Sequence, residues 1–360
     1  MAESLVGIDL FAGAGGMSLG AVLAGIEVVL AVELDPWAAR TYHTNHPDTE
    51  IYEEDIRSLS SRRLKSIPKG RKTVVFGGPP CQGFSYSNVR TRSSENPENW
   101  LYLEFLRVVE ALSPEWVVFE NVCGIVNTAG GLFVKEVIDR LSPHYTLSYG
   151  LLNAMHHGVP QNRARFFLIG SRNGIRFRMP RSSRSEPVTV REAIGDLPKL
   201  SNGAALSWMP YRTPPASHYA RGMRGRQERS PNHLVTRNAD NIVKRYSHVP
   251  QGGNWEDIPA RMMRNYADRS RCHTGIYHRL CFDAPSVVIG NFRKNMLIHP
   301  EQDRGLSVRE AARIQSFPDS YEFQGSIGFQ QQQVGNAVPP LLARAVFKAV
   351  LDQHQGARNA

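Results

Sequence analysis

Cysteine is scarce in this sequence, and long apolar runs are missing. The 360 residues include four cysteines, too few for the disulfide framework of a small secreted protein. We therefore expect a reducing compartment, in which a thiol stays free to act as a nucleophile. The first residues, MAESLVGIDLF, carry an acid and no basic leader, so they do not resemble a signal peptide. No stretch approaches the length of a membrane span. These absences predict a cytoplasmic protein with no membrane partner.

Acidic residues are outnumbered by basic ones. The formal net charge is +10, which favours a polyanionic partner because basic surfaces release counterions from a phosphate backbone. Arginines crowd three groups within 172–271, and Pro, Gly and Ser interrupt this region. The groups are Arg172, Arg176, Arg178, Arg181 and Arg184; Arg221, Arg224, Arg226 and Arg229; and Arg261, Arg264, Arg269 and Arg271. A small irregular domain that reads bases in the major groove is our interpretation. A solvated insertion is the alternative.

Apolar strands alternate with helical segments through the first half of the chain. Such alternation predicts an α/β fold with a doubly wound, Rossmann-like, mostly parallel sheet. The predicted strands are Leu5–Asp9, Val28–Val32, Thr73–Phe76, Trp116–Phe119, Thr146–Leu152 and Arg165–Gly170, and the predicted helices include 17–25, 36–46 and 101–112.

A glycine loop, Gly13-Ala14-Gly15-Gly16, separates the first strand from its helix. Small residues there let the backbone approach a ligand closely. Glu33 ends the next strand about twenty residues later, where an acid binds ribose hydroxyls. The loop is not GxGxxG, which argues against a nicotinamide cofactor and for another nucleoside. A purely structural turn is the alternative.

Cys81 follows a short apolar strand that stops at Gly-Gly-Pro-Pro. A strand cannot continue through two prolines, since both lack an N–H donor. The cysteine is therefore predicted on a stiff turn past a strand end, where open α/β sheets bind ligands. A thiolate is a strong nucleophile at neutral pH. A small buried hydrophobe is the other interpretation.

Several segments together resemble the cytosine C5 DNA methyltransferases that use S-adenosylmethionine. They occur in the order of that family's motifs and reach both ends of the chain. The segments are DLFAGAGG (9–16), VELD (32–35), EDI (54–56), GGPPCQGFS (77–85), FENV (119–122), GVPQNRARFFLIG (158–170), LSVREAARIQSFPD (306–319) and QVGNAVPPLLARAV (333–346). Residues 172–285 match no shared motif, and the target-recognition region of the family varies there.

The resemblance implies S-adenosylmethionine as the cofactor and assigns residues to it. Glu33 would bind the ribose, and Asp55 would meet the adenine amino group. The implied cofactor-binding set is Phe11, Ala12, Gly13, Gly15, Gly16, Glu33, Asp55, Ile56, Asn336 and Val338.

The resemblance also implies a mechanism. Cys81 would add to carbon 6 of a cytosine flipped out of the duplex, which makes carbon 5 reactive toward a methyl donor. Glu120 would supply a proton at ring nitrogen 3, and Arg165 would contact the ring carbonyl. The remaining catalytic candidates have supporting roles. Arg163 would support the site or the phosphates, Asn121 would position the Glu120 loop, and Pro80 would present its carbonyl to the exocyclic amine.

Two domains are expected. Residues 1–172 and 325–360 would form the catalytic, cofactor-binding domain, and 173–324 the target-recognition domain with its hinge. The polar segment 85–99 would be a lid over DNA. Partners would be double-stranded DNA and, functionally, a restriction endonuclease, with the chain as a monomer. No metal is expected, because Cys272, His273, His278 and Cys281 lack the spacing of the usual zinc sites.

Three other functions stay open from the sequence. The same chemistry on RNA is one, although the large basic insertion favours duplex DNA. A catalytically silent DNA-binding relative is the second, and intact Cys81, Glu120 and Arg165 argue against it. The third is a nicotinamide oxidoreductase on the same sheet, which the departure from GxGxxG disfavours.

Overall fold

The chain divides into two compact units. The computed structural model describes residues 5–67, 70–80, 100–126, 131–182, 186–264, 275–290, 292–294 and 296–356. Unit 1 comprises Met1–His157, Ala164–Ser183 and Val338–Ala360, and unit 2 comprises Gly158–Arg163 and Arg184–Ala337. The expected boundary placed 325–360 in the catalytic domain, whereas 325–337 and 158–163 here belong to unit 2. The assignment of catalysis and DNA recognition to these units stays a prediction.

Seven strands form the sheet of unit 1. They are β1 (Val6–Leu10), β2 (Glu27–Val32), β3 (Glu50–Tyr52), β4 (Thr73–Gly77), β5 (Trp116–Val122), β6 (Thr146–Asn153) and β7 (Ala164–Ser171). Their order is β3-β2-β1-β4-β5-β7-β6. The first five strands run parallel, and β7 runs antiparallel to both of its neighbours. The prediction of a doubly wound, mostly parallel sheet is confirmed.

Of the described α-helices, the first five lie between these strands in the chain, and the others come after β7. In chain order the helices are α1 (Gly16–Ala24), α2 (Pro36–Asn45), α3 (Ser61–Ser66), α4 (Leu101–Leu112), α5 (Leu132–Leu141), α6 (Val190–Ile194), α7 (His218–Arg224), α8 (Asp240–Tyr246), α9 (Val308–Ile314), α10 (Ile327–Asn336) and α11 (Pro340–Gly356). Every residue of β1 and β4 is buried, because helices cover both faces of a parallel sheet. A strand that is buried on both faces consists of consecutive apolar residues, as in TVVFG of β4.

The last helix returns to the first one within unit 1. Helices α1 and α11 pack so closely that a Cβ on Gly20 would lie 2.4 Å from the Cβ of Ala343. Only glycine allows this approach. The chain end therefore completes the layer that holds α1 and its glycine loop in place.

Unit 2 is irregular and rich in buried charge. Its strands are short pairs, β8 (Ala205–Leu206) with β11 (His233–Leu234) and β9 (Met209–Pro210) with β10 (Arg229–Ser230). In α9, the Arg313 guanidinium lies 2.6 Å from Asp319 and 3.0 Å from Asp196. Arg304 lies 2.7 Å from Glu310. A buried charge is tolerated only beside a partner of opposite charge. These ion pairs therefore connect segments of unit 2 that are not joined by strand pairing.

Within the described residues, one stretch, Ile327–Gly356, is apolar and long enough to cross a membrane by length and composition alone. The expectation that no stretch approaches the length of a membrane span was wrong on this point. The structure divides the stretch into two helices, α10 and α11, joined at Ala337. Of its most apolar window, 56% is buried inside the protein. Burial of this kind is typical of core helices, so the stretch is weak evidence for a membrane segment.

Candidate active site

Three neighbouring strands end at one edge of the unit 1 sheet. Leu10, the last residue of β1, pairs with Gly77 of β4, and Gly77 pairs with Phe119 of β5. The strands are parallel, so the segments that follow them leave from the same edge. This register brings the glycine loop, the Pro-Pro turn and Glu120 together, at the edge where open sheets of this kind bind ligands.

The glycine loop is fastened to Glu33. The backbone N–H of Gly13 donates to Oε2 of Glu33 at 2.7 Å, and the N–H of Asp35 donates to Oε1 at 2.7 Å. Burial raises the pKa of Glu33, while these backbone donors act in the opposite direction. The loop needs left-handed backbone at Gly13 (φ 56°) and Gly15 (φ 85°), which glycine adopts without strain. The carboxylate is thus held in one orientation.

Open space lies beside this loop. A Cβ on Gly13 would meet no atom within 4 Å. Helix α1 begins at the loop without a side-chain cap. The Ser18 N–H of its first turn donates to Asp9, so the N–H groups of Gly16 and Met17 are the ones that a ligand would bind. Phe11 is half-buried with φ 61°, a conformation that is uncommon outside glycine. Backbone donors, a fixed carboxylate and an aromatic ring together fit a nucleoside.

Asp55 and Ile56 follow β3 but differ in exposure. Ile56 is buried in the core of unit 1. The Asp55 carboxylate accepts from the Arg57 guanidinium, at 2.6 Å from Nη2, and from the Arg57 backbone N–H at 2.9 Å. These hydrogen bonds lower the pKa of Asp55. The carboxylate expected to meet an adenine amino group is therefore ionised and already shared with Arg57.

Glu120 and Arg165 form an ion pair on adjacent strands. Arg165 of β7 lies opposite Val122 of β5, and its Nε lies 3.1 Å from Oε1 of Glu120. The two side chains are 10% and 9% exposed. Burial lowers the pKa of Arg165, and the Glu120 carboxylate opposes that shift. Two of the three principal catalytic candidates are therefore brought together.

The Pro-Pro turn lies against Glu120. A Cβ on Gly78 would lie 2.6 Å from Oε2 of Glu120, so any larger residue there would displace the Glu120 carboxylate. The side-chain amide of Asn121 donates to the carbonyl of Pro79 at 3.0 Å. Asn121 therefore ties the turn to β5, as expected of a positioning residue. Pro80 is half-buried at the end of the described turn, and Cys81 and the predicted lid 85–99 lie outside the described residues.

Arg163 is buried and hydrogen-bonded to backbone carbonyls. It precedes β7 and belongs to unit 2, where it is 1% exposed. Its guanidinium donates to the carbonyls of Ile289 at 2.8 Å, Gly335 at 2.9 Å and Ala337 at 3.1 Å. The resemblance implied that Arg163 supports the site or the phosphates. The hydrogen bonds described for it go to these carbonyls and to the Gln161 side chain, which is consistent with the first of these roles.

The last predicted cofactor residues straddle the boundary between the units. Asn336 ends α10 in unit 2 and is exposed, whereas Val338 belongs to unit 1 and is buried. Of the four cysteines and histidines between 272 and 281, Cys272 and His273 lie outside the described residues. In the described remainder, no three His, Cys, Asp or Glu side chains are grouped to hold a metal ion.

A buried chain of polar side chains, not predicted from the sequence, joins α2, α1 and β1. Tyr42 of α2 donates its hydroxyl hydrogen to Oγ of Ser18 at 2.7 Å, and Ser18 of α1 donates to Oδ2 of Asp9 at 2.6 Å. All three are at most 1% exposed. An acid inside the otherwise apolar strand VGIDL was the available signal, because an unpartnered carboxyl is rarely buried.

Comparison with known proteins agrees with this geometry. The family model of the C-5 cytosine-specific DNA methylases matches residues 5–352. The chain is 39% identical to Type II methyltransferase M1.HphI of Haemophilus parahaemolyticus, over 97% of this chain and 87% of that protein. It is 35% identical to Type II methyltransferase M.DdeI of Desulfomicrobium norvegicum, over 95% and 88% respectively. A solved DNA modification methyltransferase from an Escherichia coli prophage superposes with a TM-score of 0.80 at 26% identity, covering 98% of this chain and 100% of that one. The family indicated by the motifs is confirmed, and the chain belongs to the C-5 cytosine-specific DNA methylases.

Proposed function

We propose that this DNA cytosine-5 methyltransferase takes its methyl group from S-adenosylmethionine and modifies one cytosine within a specific duplex sequence. The observation that carries the proposal is the shared sheet edge, where the glycine loop bonded to Glu33 follows β1 and the Glu120–Arg165 pair lies on β5 and β7. Methyl transfer needs both parts next to each other, since donor and acceptor atoms must meet.

The cofactor would lie along the glycine loop. S-adenosylmethionine supplies a methyl group on a positively charged sulfur. Glu33 would accept hydrogen bonds from the ribose hydroxyls, and Phe11 would contact the adenine ring. Both oxygens of Asp55 accept from Arg57, so Asp55 would accept from the adenine amino group in place of one of these bonds. Ala12, Gly15, Gly16, Ile56, Asn336 and Val338 would complete the site.

Cys81 would act on the substrate base. Its thiolate would bond to carbon 6 of a cytosine taken out of the stack, and the electron density gained at carbon 5 would attack the methyl group. Loss of the carbon 5 proton and of the thiolate then restores the aromatic ring. Glu120 would hold the proton at ring nitrogen 3, where negative charge develops during addition. Arg165, fixed by its contact with Glu120, would donate to the ring carbonyl.

The surrounding residues would hold this arrangement. Asn121 keeps the Pro-Pro turn next to Glu120 through the Pro79 carbonyl, and the Pro80 carbonyl would accept from the exocyclic amine. Arg163 would position the backbone at Ile289 and Gly335, whose carbonyls accept hydrogen bonds from its guanidinium. Unit 2 would read the duplex, with its arginine groups at 221–229 and 261–271 on phosphates and bases.

A restriction-modification context is the proposed biological setting. The relatives M1.HphI and M.DdeI carry the name Type II methyltransferase, and a functionally paired endonuclease would cut the same unmethylated sequence. The enzyme would act as a monomer in a bacterial or archaeal cytoplasm.

The test is methyl transfer from radiolabelled S-adenosylmethionine to unmethylated duplex DNA and to tRNA in parallel. We expect label in DNA as 5-methylcytosine and background label in tRNA. Label confined to tRNA would contradict the proposed substrate, and binding of NAD in place of S-adenosylmethionine would contradict the proposed cofactor.

A further inference from the structure

Asp9 carries a buried carboxyl group next to the glycine loop of the proposed cofactor site. Among its described interactions, none is with a cation. Asp9 is the fourth residue of β1, two residues before Phe11, and is 1% exposed. Its described hydrogen bonds come from Ser18, through the hydroxyl at 2.6 Å and through the backbone N–H. The Ser18 hydroxyl in turn accepts from Tyr42. The proposed mechanism leaves this group without a role.

The groups that face Asp9 come from several elements. Glu33, after β2, is a second carboxylate whose charge disfavours ionisation of Asp9. Tyr42 of α2 is itself buried and neutral, since burial and the Asp9 charge both raise its pKa. His46, against the Tyr42 ring, is kept neutral because burial lowers its pKa to about 4. Burial, opposed by the Ser18 hydrogen bonds, raises the pKa of Asp9 to about 8.

Asp9 pairs with Ala31 of β2, two residues before Glu33, so a charge placed at the glycine loop acts on Asp9 across one strand spacing. Glu33 holds the Gly13 N–H, so it marks the place where the cofactor would lie. A negative charge there favours the protonated form of Asp9, and a positive charge there favours the ionised form. The methyl donor carries a sulfonium charge, and the product that remains after transfer carries a neutral sulfur.

On this basis, which rests on the proposed cofactor, we propose that Asp9 is a proton-linked sensor of cofactor charge. Asp9 keeps its proton in the empty site and in the product complex, and loses it to solvent when the sulfonium cofactor binds. The ionised carboxylate then stabilises the methyl donor over its product. Ser18 and Tyr42 are positioning residues, because their hydroxyls orient the carboxylate that forms.

Calorimetry in buffers of different ionisation enthalpy measures the protons released on binding. At pH 7 we expect the binding of S-adenosylmethionine to release about 0.4 to 0.9 proton from Asp9, if the sulfonium lowers the pKa of Asp9 by about one to three units. The binding of S-adenosylhomocysteine should release less than about 0.1 proton from Asp9. The preference for the methyl donor over the product should rise with pH, by at most about tenfold per unit below pH 8.

The variant Asp9→Asn isolates the signal. The amino group of each ligand also titrates near neutral pH, so the part assigned to Asp9 is the part that this variant removes. Asp48→Asn changes an exposed acid after α2 and should release as many protons as the wild type. Ser18→Ala keeps the carboxyl and removes a hydroxyl that lowers its pKa, so it should move proton release to higher pH, even if Asp9→Asn fails to fold.

The outcomes separate the two claims. Binding of S-adenosylmethionine with equal proton release in wild type and Asp9→Asn overturns the sensor and leaves the proposed cofactor standing. An unchanged pH midpoint in Ser18→Ala also overturns the sensor. A wild-type chain that binds neither ligand overturns the proposed cofactor, and the sensor with it.

Discussion

Replacing Gly78 with alanine tests the contact between the Pro-Pro turn and Glu120. The added Cβ would lie 2.6 Å from Oε2 of Glu120, closer than Cβ atoms are found. The backbone there is not left-handed, so the methyl group itself is the perturbation. The carboxylate ends a side chain and can retreat, by about 0.8 to 1.4 Å if the contact is to reach ordinary distances. The fold should therefore survive.

A displacement of that size matters for catalysis. Reacting groups must be held within about 0.5 Å of their productive positions, and a misplacement of about 1 Å costs roughly 100-fold. We expect Gly78→Ala to lower kcat by about 10- to 100-fold. Affinity for S-adenosylmethionine should stay within about twofold, because Glu33 and the glycine loop are untouched.

Single-turnover methyl transfer to unmethylated DNA measures the rate, and ligand-dependent melting measures cofactor binding. Gly222→Ala is the matched control: Gly222 is exposed in α7, and a Cβ there meets nothing within 4 Å. It should keep the wild-type rate. Wild-type kcat in Gly78→Ala would refute the argument that the turn and Glu120 must touch at this distance.

Three further predictions concern unit 2 and the cofactor loop. Arg163→Leu removes hydrogen bonds to three buried carbonyls and should lower the free energy of unfolding by about 3 kcal/mol or more, seen in urea denaturation; an unchanged midpoint would contradict a structural role. Burial raises the pKa of Glu310, but the Arg304 ion pair outweighs it and lowers the pKa to about 2. Its stabilisation is thus present above about pH 4.5 and lost as the pH falls toward 2, so Glu310→Gln should flatten this acid limb of the stability curve, and an equally steep limb would argue against the pair. Glu33→Gln should weaken S-adenosylmethionine binding by about tenfold, since a charged acceptor becomes neutral; calorimetry checks this, and wild-type affinity would exclude Glu33 from the site.

The alternating strands and helices were predictable because burial on both faces of a parallel sheet leaves continuous apolar runs such as TVVFG. The same logic placed the glycine loop and Glu33 at strand ends, whereas Glu120 lies within β5, which continues to Val122. The Glu120–Arg165 contact follows from the antiparallel register of β5 and β7. The register itself depends on tertiary packing, so the sequence alone could not show it.

Other features depend on contacts far apart in the chain. Arg163 and Arg165 are two residues apart in one motif, but their guanidinium groups bind in different units because β7 begins between them. Asp9 looked like the polar end of an apolar strand, and its partners come from α1 and α2. Side chains that find their partners through folding leave no periodic trace in the sequence.

The central claim is that this chain methylates carbon 5 of a cytosine in DNA through Cys81. Bisulfite sequencing of DNA from cells that express the chain tests it most directly. We predict protected cytosines that recur in one sequence context with the wild-type protein and are absent with Cys81→Ala, while the purified variant still binds S-adenosylmethionine. Equal protection with both proteins, or none with a folded wild-type protein, would contradict the account.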